Sequence, residues 1–340
     1  MPMQIEDADA ESLPAGPSGG RQRSILRLLQ PYGLLLVWLV VLIAFSVLKP
    51  TQYLSIANAA NMLGTQAVLV FVSLALIFVF RVGDYDLSVA ANLTMSSVLI
   101  GVLNAQQGWP IAVVIVLCLL MGIGIGLVNS YFIVVIGIDS IVVTLGTATL
   151  LQGLAIWVSD AQVIVGVSDS LVNLVVRYRV LGIPYEFFYA LILTVVVWLV
   201  FQYTPWGRRT LYVGKNPEVA RLSGVGVGRS RTMALVVAGL ISAAAGVVYT
   251  GTSGTASATS GLSYLLPAFA ATFLGSTAIK VGEFNPWGTW VAAYFLISGV
   301  TGLAIIGFPT YAQQLFYGAA LIIAVTVSRL AVKRSEQLAI

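Results

Sequence analysis

Pro110 to Ile136 reads PIAVVIVLCLLMGIGIGLVNSYFIVVI, a run without one charged residue. At 1.5 Å of rise per residue, about 20 apolar residues in a helix cover a hydrocarbon core roughly 30 Å thick. This run is longer than that, and it is not alone. Similar runs lie at about 32–48, 61–80 and 87–104 before it, and at about 140–158, 186–203, 232–250, 264–279, 287–306 and 311–328 after it. Apolar runs of this length, separated by brief polar interruptions, predict an all-α, polytopic transmembrane helix bundle of about ten spans. Composition agrees: of 340 residues, 59% are hydrophobic and 9% charged, against about 25% charged in an ordinary soluble domain. The mean hydropathy is +0.96. The short alternating segments of a membrane β-barrel are absent.

Several chemistries are excluded at this level. There is no histidine, which removes the commonest metal ligand and proton shuttle. The single cysteine, Cys118, sits inside an apolar run and has no partner for a disulfide within the chain. No metal site, cofactor or convergent set of acid, base and nucleophile is legible. The formal charge of +4 does not point to nucleic acid, because the basic residues gather in short segments beside spans, where they report topology.

Arg21, Arg23 and Arg27 precede the first span, six lysines and arginines lie between 208 and 231, and Arg329, Lys333 and Arg334 follow the last. With ten spans all of these fall on one side, which the positive-inside rule makes the cytoplasm. Residues 1–30, acidic and then rich in Pro, Gly and Ser, are expected to form a disordered cytoplasmic tail and not a signal peptide. Residues 31–330 are expected to form one transmembrane domain, and 331–340 a second cytoplasmic tail. The segment Ser159 to Tyr185 then faces outward, where it could receive a partner.

No lysine, arginine, aspartate or glutamate occupies the middle third of any run, which disfavours proton relays and charged cargo. Neutral polar residues are present instead. Asn61, Asn92, Asn129, Thr144 and Gln152 are the candidate lining of a path for an uncharged polar solute; hydrogen bonding between helices is the simpler reading of any one of them. Gly122, Gly124 and Gly126 fit close helix packing. Val82-Gly83-Asp84-Tyr85-Asp86 is echoed by Val281-Gly282-Glu283-Phe284-Asn285, each just before a span. That echo raises a two-repeat architecture with broken helices, as many transporters have, although five positions can coincide by chance.

The one long basic segment, 204–231, contains its own helix signals. Asn216 can cap, Pro217 suits the first helical position and Glu218 is favourably placed against the helix dipole. Val219, Ala220 and Leu222 can form a small apolar face, and Gly224 and Gly226 end the helix. A short helix outside the bilayer is a docking knob or an ordinary surface loop; the residues alone leave both open.

Asn216-Pro217-Glu218 followed by Ala220-Arg221-Leu222-Ser223-Gly224 resembles the coupling-loop motif in the membrane subunits of ribose-type ABC sugar importers. Gly126-Leu127-Val128-Asn129 with Ile141-Val142-Val143-Thr144-Leu145-Gly146-Thr147 looks like that family's paired signature. Asp86-Leu87-Ser88-Val89, and Gly275-Ser276 with Trp287-Gly288-Thr289, resemble its signatures in the first and second halves. The likeness covers about residues 50 to 330 in family order. It implies a permease subunit in a bacterial plasma membrane, with both termini cytoplasmic. It implies an ABC ATPase gripping Asn216, Pro217, Glu218, Ala220, Arg221, Leu222 and Gly224. It also implies a second permease subunit, and a binding protein that delivers a sugar or polyol from outside. The chain itself lacks the Gly-x-x-x-x-Gly-Lys-Ser/Thr phosphate loop, since Gly214-Lys215 is followed by Asn216. ATP hydrolysis is therefore expected on a separate chain. The alternative from another class is a passive channel or facilitator for small neutral solutes.

Overall fold

The computed structural model describes the backbone of residues 30–337 and the side chains of 31–326. The expected tail at 1–30 lies outside them apart from Gln30, as do residues 338–340 and the side chains of Arg329, Lys333 and Arg334. After a 3-10 turn at Gln30–Tyr32 the chain forms α1 (Gly33–Leu48), the one-turn α2 (Pro50–Tyr53), α3 (Ile56–Thr65) and α4 (Ala67–Arg81). α5 (Val89–Ile100) and α6 (Ile111–Ser130) each run on into a wider π turn, Gly101–Gln106 and Tyr131–Ile136. Then come α7 (Ser140–Val158), the short α8 (Asp169–Val172), α9 (Tyr185–Tyr203), α10 (Pro205–Lys215) and α11 (Pro217–Leu222). The chain closes with α12 (Val227–Ser253), α13 (Leu262–Gly275), α14 (Pro286–Ile306) and α15 (Thr310–Gln337). Strand is confined, among the described residues, to two antiparallel pairs: β1 (Ile164–Val165) with β4 (Thr255–Ala256), and β2 (Arg179–Val180) with β3 (Ile183–Pro184).

Each of the ten apolar runs is helical, so the polytopic bundle is as expected. Seven helical stretches among the described residues are long and apolar enough to cross a membrane. Two of the ten are shorter: α1 has 16 residues and α13 only 14, about 21 Å of rise for the latter. α13 stops before the expected end at 279 because the chain turns at Ser276. Nδ2 of Asn285 then lies 3.0–3.1 Å from the carbonyls of Gly275, Ala278 and Glu283, tying the turn back onto the end of the helix. The basic segment 204–231 holds the short helix expected after Asn216 and is more helical than that besides. α10 and α11 occupy most of it, and Gly228 to Arg231 belong to the first turn of α12, which is longer than the expected 232–250. α15 continues helical through Gln337, past the expected span end at 328.

α4 sits at the centre. Its sequence, AVLVFVSLALIFVFR, is apolar all round, so no face is set apart for solvent, and every one of its 15 residues is buried. α12 packs along α4, α5 and α6. The contact with α6 is close because it is made by glycines four apart: a Cβ on Gly122 would meet the Gly239 carbonyl, and one on Gly126 the Leu235 carbonyl. Gly124, expected to share this role, faces open space. α6, α7 and α9 lie at the periphery and leave large side chains such as Leu120, Leu150, Trp157 and Leu199 uncovered.

The sequence echo has a backbone counterpart. Gly83 and Gly282 both adopt positive φ, +85° and +83°, a conformation that costs other L-residues steric energy. Asp86 and Asn285 then each accept a backbone N–H just ahead, Asp86 from Ser88 at 2.8 Å and Asn285 from Gly288 at 2.7 Å. The two helix discontinuities, 82–88 and 276–285, are thus built on the same local plan.

Candidate coupling surface and solute path

α10 and α11 form where local chemistry satisfies their ends. The Thr204 hydroxyl accepts from Gly207 N at 3.0 Å, with Pro205 at the first position. Asn216 Oδ1 accepts from Val219 N at 3.0 Å, with Pro217 and Glu218 in the first turn, as the sequence predicts. Gly224, at φ +78°, ends the helix. The expected apolar face is split. Ala220 is buried at 4% exposure, whereas Val219 is 56% and Leu222 85% exposed. α11 is therefore pinned through Ala220 and projects two bare aliphatic side chains. Glu218 and Arg221 pair at 3.5 Å on the same exposed turn, a contact worth little by itself.

After this knob in the chain, Arg231 makes a two-point pair with Asp84, Nε to Oδ2 at 2.7 Å and Nη2 to Oδ1 at 2.6 Å. The pair fastens the start of α12 to the discontinuity 82–88. Arg81, the last residue of α4, is buried in the same region and donates to α10.

The five candidate path residues are not brought to one place. Asn129 donates to the Ser88 hydroxyl at 3.0 Å and accepts from Thr147 at 2.7 Å. Thr144 accepts from Leu87 N at 3.1 Å, and Ser140, one turn earlier on α7, accepts from Tyr85 N at 3.1 Å. Together they lace the discontinuity 82–88 to α6 and α7, satisfying backbone groups that no helix pairs. Asn92 is buried between α5 and α12, donating to Gly239 O and to the Ser242 hydroxyl, both at 2.8 Å, with its own Oδ1 unpartnered. Asn61 is exposed on α3. Gln152 lines an open pocket. It lies with Leu87, Ala91, Leu145, Thr149 and Leu265 around a space of about 430 Å³ between α5, α7 and α13. Its Nε2 donates to Ala258 O at 2.5 Å and its Oε1 has no partner. That wall is almost wholly apolar, with one amide and one hydroxyl, and it can hold a small neutral molecule but offers no charge to an ion.

Sequence reasoning missed the Asp84–Arg231 pair, the burial of Arg81, and Glu186. Glu186 is buried at the start of α9, where its carboxylate meets the Thr252 hydroxyl. Arg231 sits in a basic cluster that reads as a topology marker, and Arg81 stands at the end of an apolar run, where it drew no reading. No short-range signal pairs them with residues more than 120 positions away.

Residues 58–325 match the family described as branched-chain amino acid transport system / permease component. The ribose import permease protein RbsC of Bacillus subtilis is 31% identical over 302 residues, 88% of this chain and 93% of that one. The galactose/methyl galactoside import permease protein MglC of Escherichia coli is 29% identical over 93% of this chain and 98% of its own length. The autoinducer 2 import system permease protein LsrD of Photorhabdus luminescens is 31% identical over 75% of this chain and 78% of that one. No solved structure matches the chain. These likenesses agree with the resemblance carried by the motifs at 86–89, 126–147 and 216–224. With a central apolar helix, paired discontinuities and a capped basic knob, matched over most of its length, this chain belongs to the permease-component family of membrane transport proteins.

Proposed function

We propose that the chain forms the translocation path of an ATP-driven ABC importer for a small neutral polar solute, a monosaccharide or polyol. The observation that carries this reading is the knob α11. A helix of six residues, capped at Asn216 and pinned by Ala220, presents Val219 and Leu222 bare beside the exposed polar residues Glu218, Arg221 and Ser223. Isolated exposed aliphatics need no explanation, but a purpose-built turn that holds two of them out is suited to a socket on another protein. In this reading the socket belongs to an ATPase on a separate chain, the α11 side is cytoplasmic, and both termini lie there. A second permease subunit completes the membrane unit, and a solute-binding protein docks on the opposite face, near 159–185. Relatives that are import permeases for ribose, galactose and autoinducer 2 support a small hydroxylated cargo.

Because the binding protein supplies the selectivity, the path needs only weak contacts. Gln152 with Thr149 in the apolar pocket is the contact we favour; Asn61, Asn92, Asn129 and Thr144 join it only if the helices rearrange during transport. Gln152→Leu, which keeps the volume and removes the amide, is expected to lower ribose or galactose uptake by about tenfold, the loss of roughly one good polar contact. Unchanged uptake would remove Gln152 from the path.

The knob itself is tested by Glu218→Lys and Gly224→Val. The first places a like charge beside Arg221; the second forces a β-branched residue into a left-handed conformation at a cost of about 1–2 kcal/mol. Both variants are expected to reach the membrane in normal amounts and to lose most ATP-dependent uptake in vesicles. Normal uptake by both would refute the coupling role. A passive facilitator remains the rival, and uptake in ATP-free vesicles would favour it.

A further inference from the structure

Arg81 ends the central helix, and its guanidinium is used entirely inside the protein. Nη1 donates to Phe284 O at 3.0 Å, Nε to the Thr210 hydroxyl at 3.2 Å and Nη2 to Gly207 O at 3.3 Å, and the group lies 4.2 Å over the Phe201 ring. These partners sit on different elements: Phe201 on α9, Gly207 and Thr210 on α10, and Phe284 in the discontinuity before α14. The backbone of Arg81 leads straight into the other discontinuity, 82–88. An arginine at the polar end of an apolar run can reach water or lipid headgroups with its long side chain. This one is buried instead, which costs desolvation that only several well-placed acceptors offset.

α10 is shaped to keep that grip. Gly207, Thr210 and Val213 recur three apart as its buried residues, and Gly214 follows at its end. A Cβ on Gly214 would meet the Arg81 carbonyl, and one on Gly207 the Val200 carbonyl. α10 is therefore held against α9 at its start and against the end of α4 at Gly214, and α11 begins one residue after it. A push on α11 reaches Arg81 through one short helix.

We propose that Arg81 is a positioning residue that carries displacement of α10 and α11 into both discontinuities at once. Its planar fork joins the knob's supporting helix to the ends of α4 and of the 276–285 turn, so the two halves of the bundle move together. This rests on the reading of α11 as the ATPase docking knob, and the test keeps the two apart. The complex of the full chain with its ATPase is placed in nanodiscs, in a Cys118→Ala background. Spin labels sit at Trp157→Cys and Phe308→Cys, in α7's last turn and just after α14, and ATP with vanadate is the probe. With Arg81 present, the nucleotide is expected to shift the label distance. Arg81→Gln is expected to keep the ATPase bound and hydrolysing while the shifted population falls roughly tenfold, within the range of ordinary coupling free energies.

Arg81→Lys should restore part of the shift, because an ammonium can meet only some of the three acceptors. Thr210→Val, close in volume and removing one acceptor, should reproduce a weaker form of the loss if Arg81→Gln does not fold. A full shift in Arg81→Gln or in Thr210→Val, or loss of the ATPase from Arg81→Gln, overturns the proposal. An ATPase still bound to Leu222→Asp would instead overturn the knob reading, whatever Arg81 does.

Discussion

Gly239→Leu is expected to prevent the bundle from forming, with little monodisperse protein recovered in detergent. α12 and α6 touch backbone to backbone at this point, since a Cβ on Gly239 would press on the Gly122 carbonyl. Four more carbons have nowhere to go unless the helices separate. Overpacking a filled core costs about 1–3 kcal/mol when side chains can give way, and here the obstacle is backbone, so at least about 3 kcal/mol is expected. Within the membrane there is no hydrophobic force to close the gap again, because lipid is as apolar as the helix it would touch. Gly124→Leu is the internal control. It sits on α6 between Gly122 and Gly126 but has no neighbour within 4 Å, and it should be recovered at the normal level. If Gly239→Leu were recovered as well as Gly124→Leu, the described approach of α6 and α12 would be incorrect.

The second large effect is expected from Arg231→Leu. Asp84 has a side chain 5% exposed, and Arg231 supplies both of its short bonds. Removing the guanidinium strands a buried carboxylate, which costs about 3–5 kcal/mol in a fully buried pair. With the Arg231 side chain 29% exposed, about 3 kcal/mol is the reasonable expectation. The double variant Asp84→Ala, Arg231→Leu leaves no stranded charge and should recover most of that loss, a coupling that a thermal aggregation series on all four proteins would measure. Additive losses would mean that the pair does not hold the start of α12 to the discontinuity 82–88.

The ten helices were legible because the signal is crude: a bilayer demands long apolar runs, and no tertiary contact can disguise them. The α11 cap was legible for the opposite reason, being entirely local, with Asn216, Pro217, Glu218 and Gly224 all within nine positions. The discontinuity before α14 was half legible. Val281 to Asn285 echoed Val82 to Asp86, but only coordinates show that Gly83 and Gly282 share one backbone state. The path was hardest to read. Asn92, Asn129 and Thr144 are polar residues in apolar helices, which fits a solute path and equally fits structural bonding, and in this conformation Asn129 and Thr144 brace the discontinuity 82–88 while Asn92 ties α5 to α12. Their sequence neighbourhoods are alike in both cases, and the difference lies in Ser88, Leu87 and Gly239, brought close by folding. Arg231 was misread for a related reason, because a rule that counts basic residues cannot tell a topology marker from a fastener, and Arg81 was passed over altogether.

The central claim is that α11 couples this path to ATP hydrolysed on another chain. It is tested most directly by uptake of labelled ribose and galactose into proteoliposomes holding this chain, its ATPase and its binding protein, with and without internal ATP, beside the same assembly carrying Leu222→Asp. The account predicts uptake of at least one sugar that requires ATP and disappears in the Leu222→Asp assembly. Equal uptake with and without nucleotide, or full ATP-driven uptake by Leu222→Asp, would contradict it.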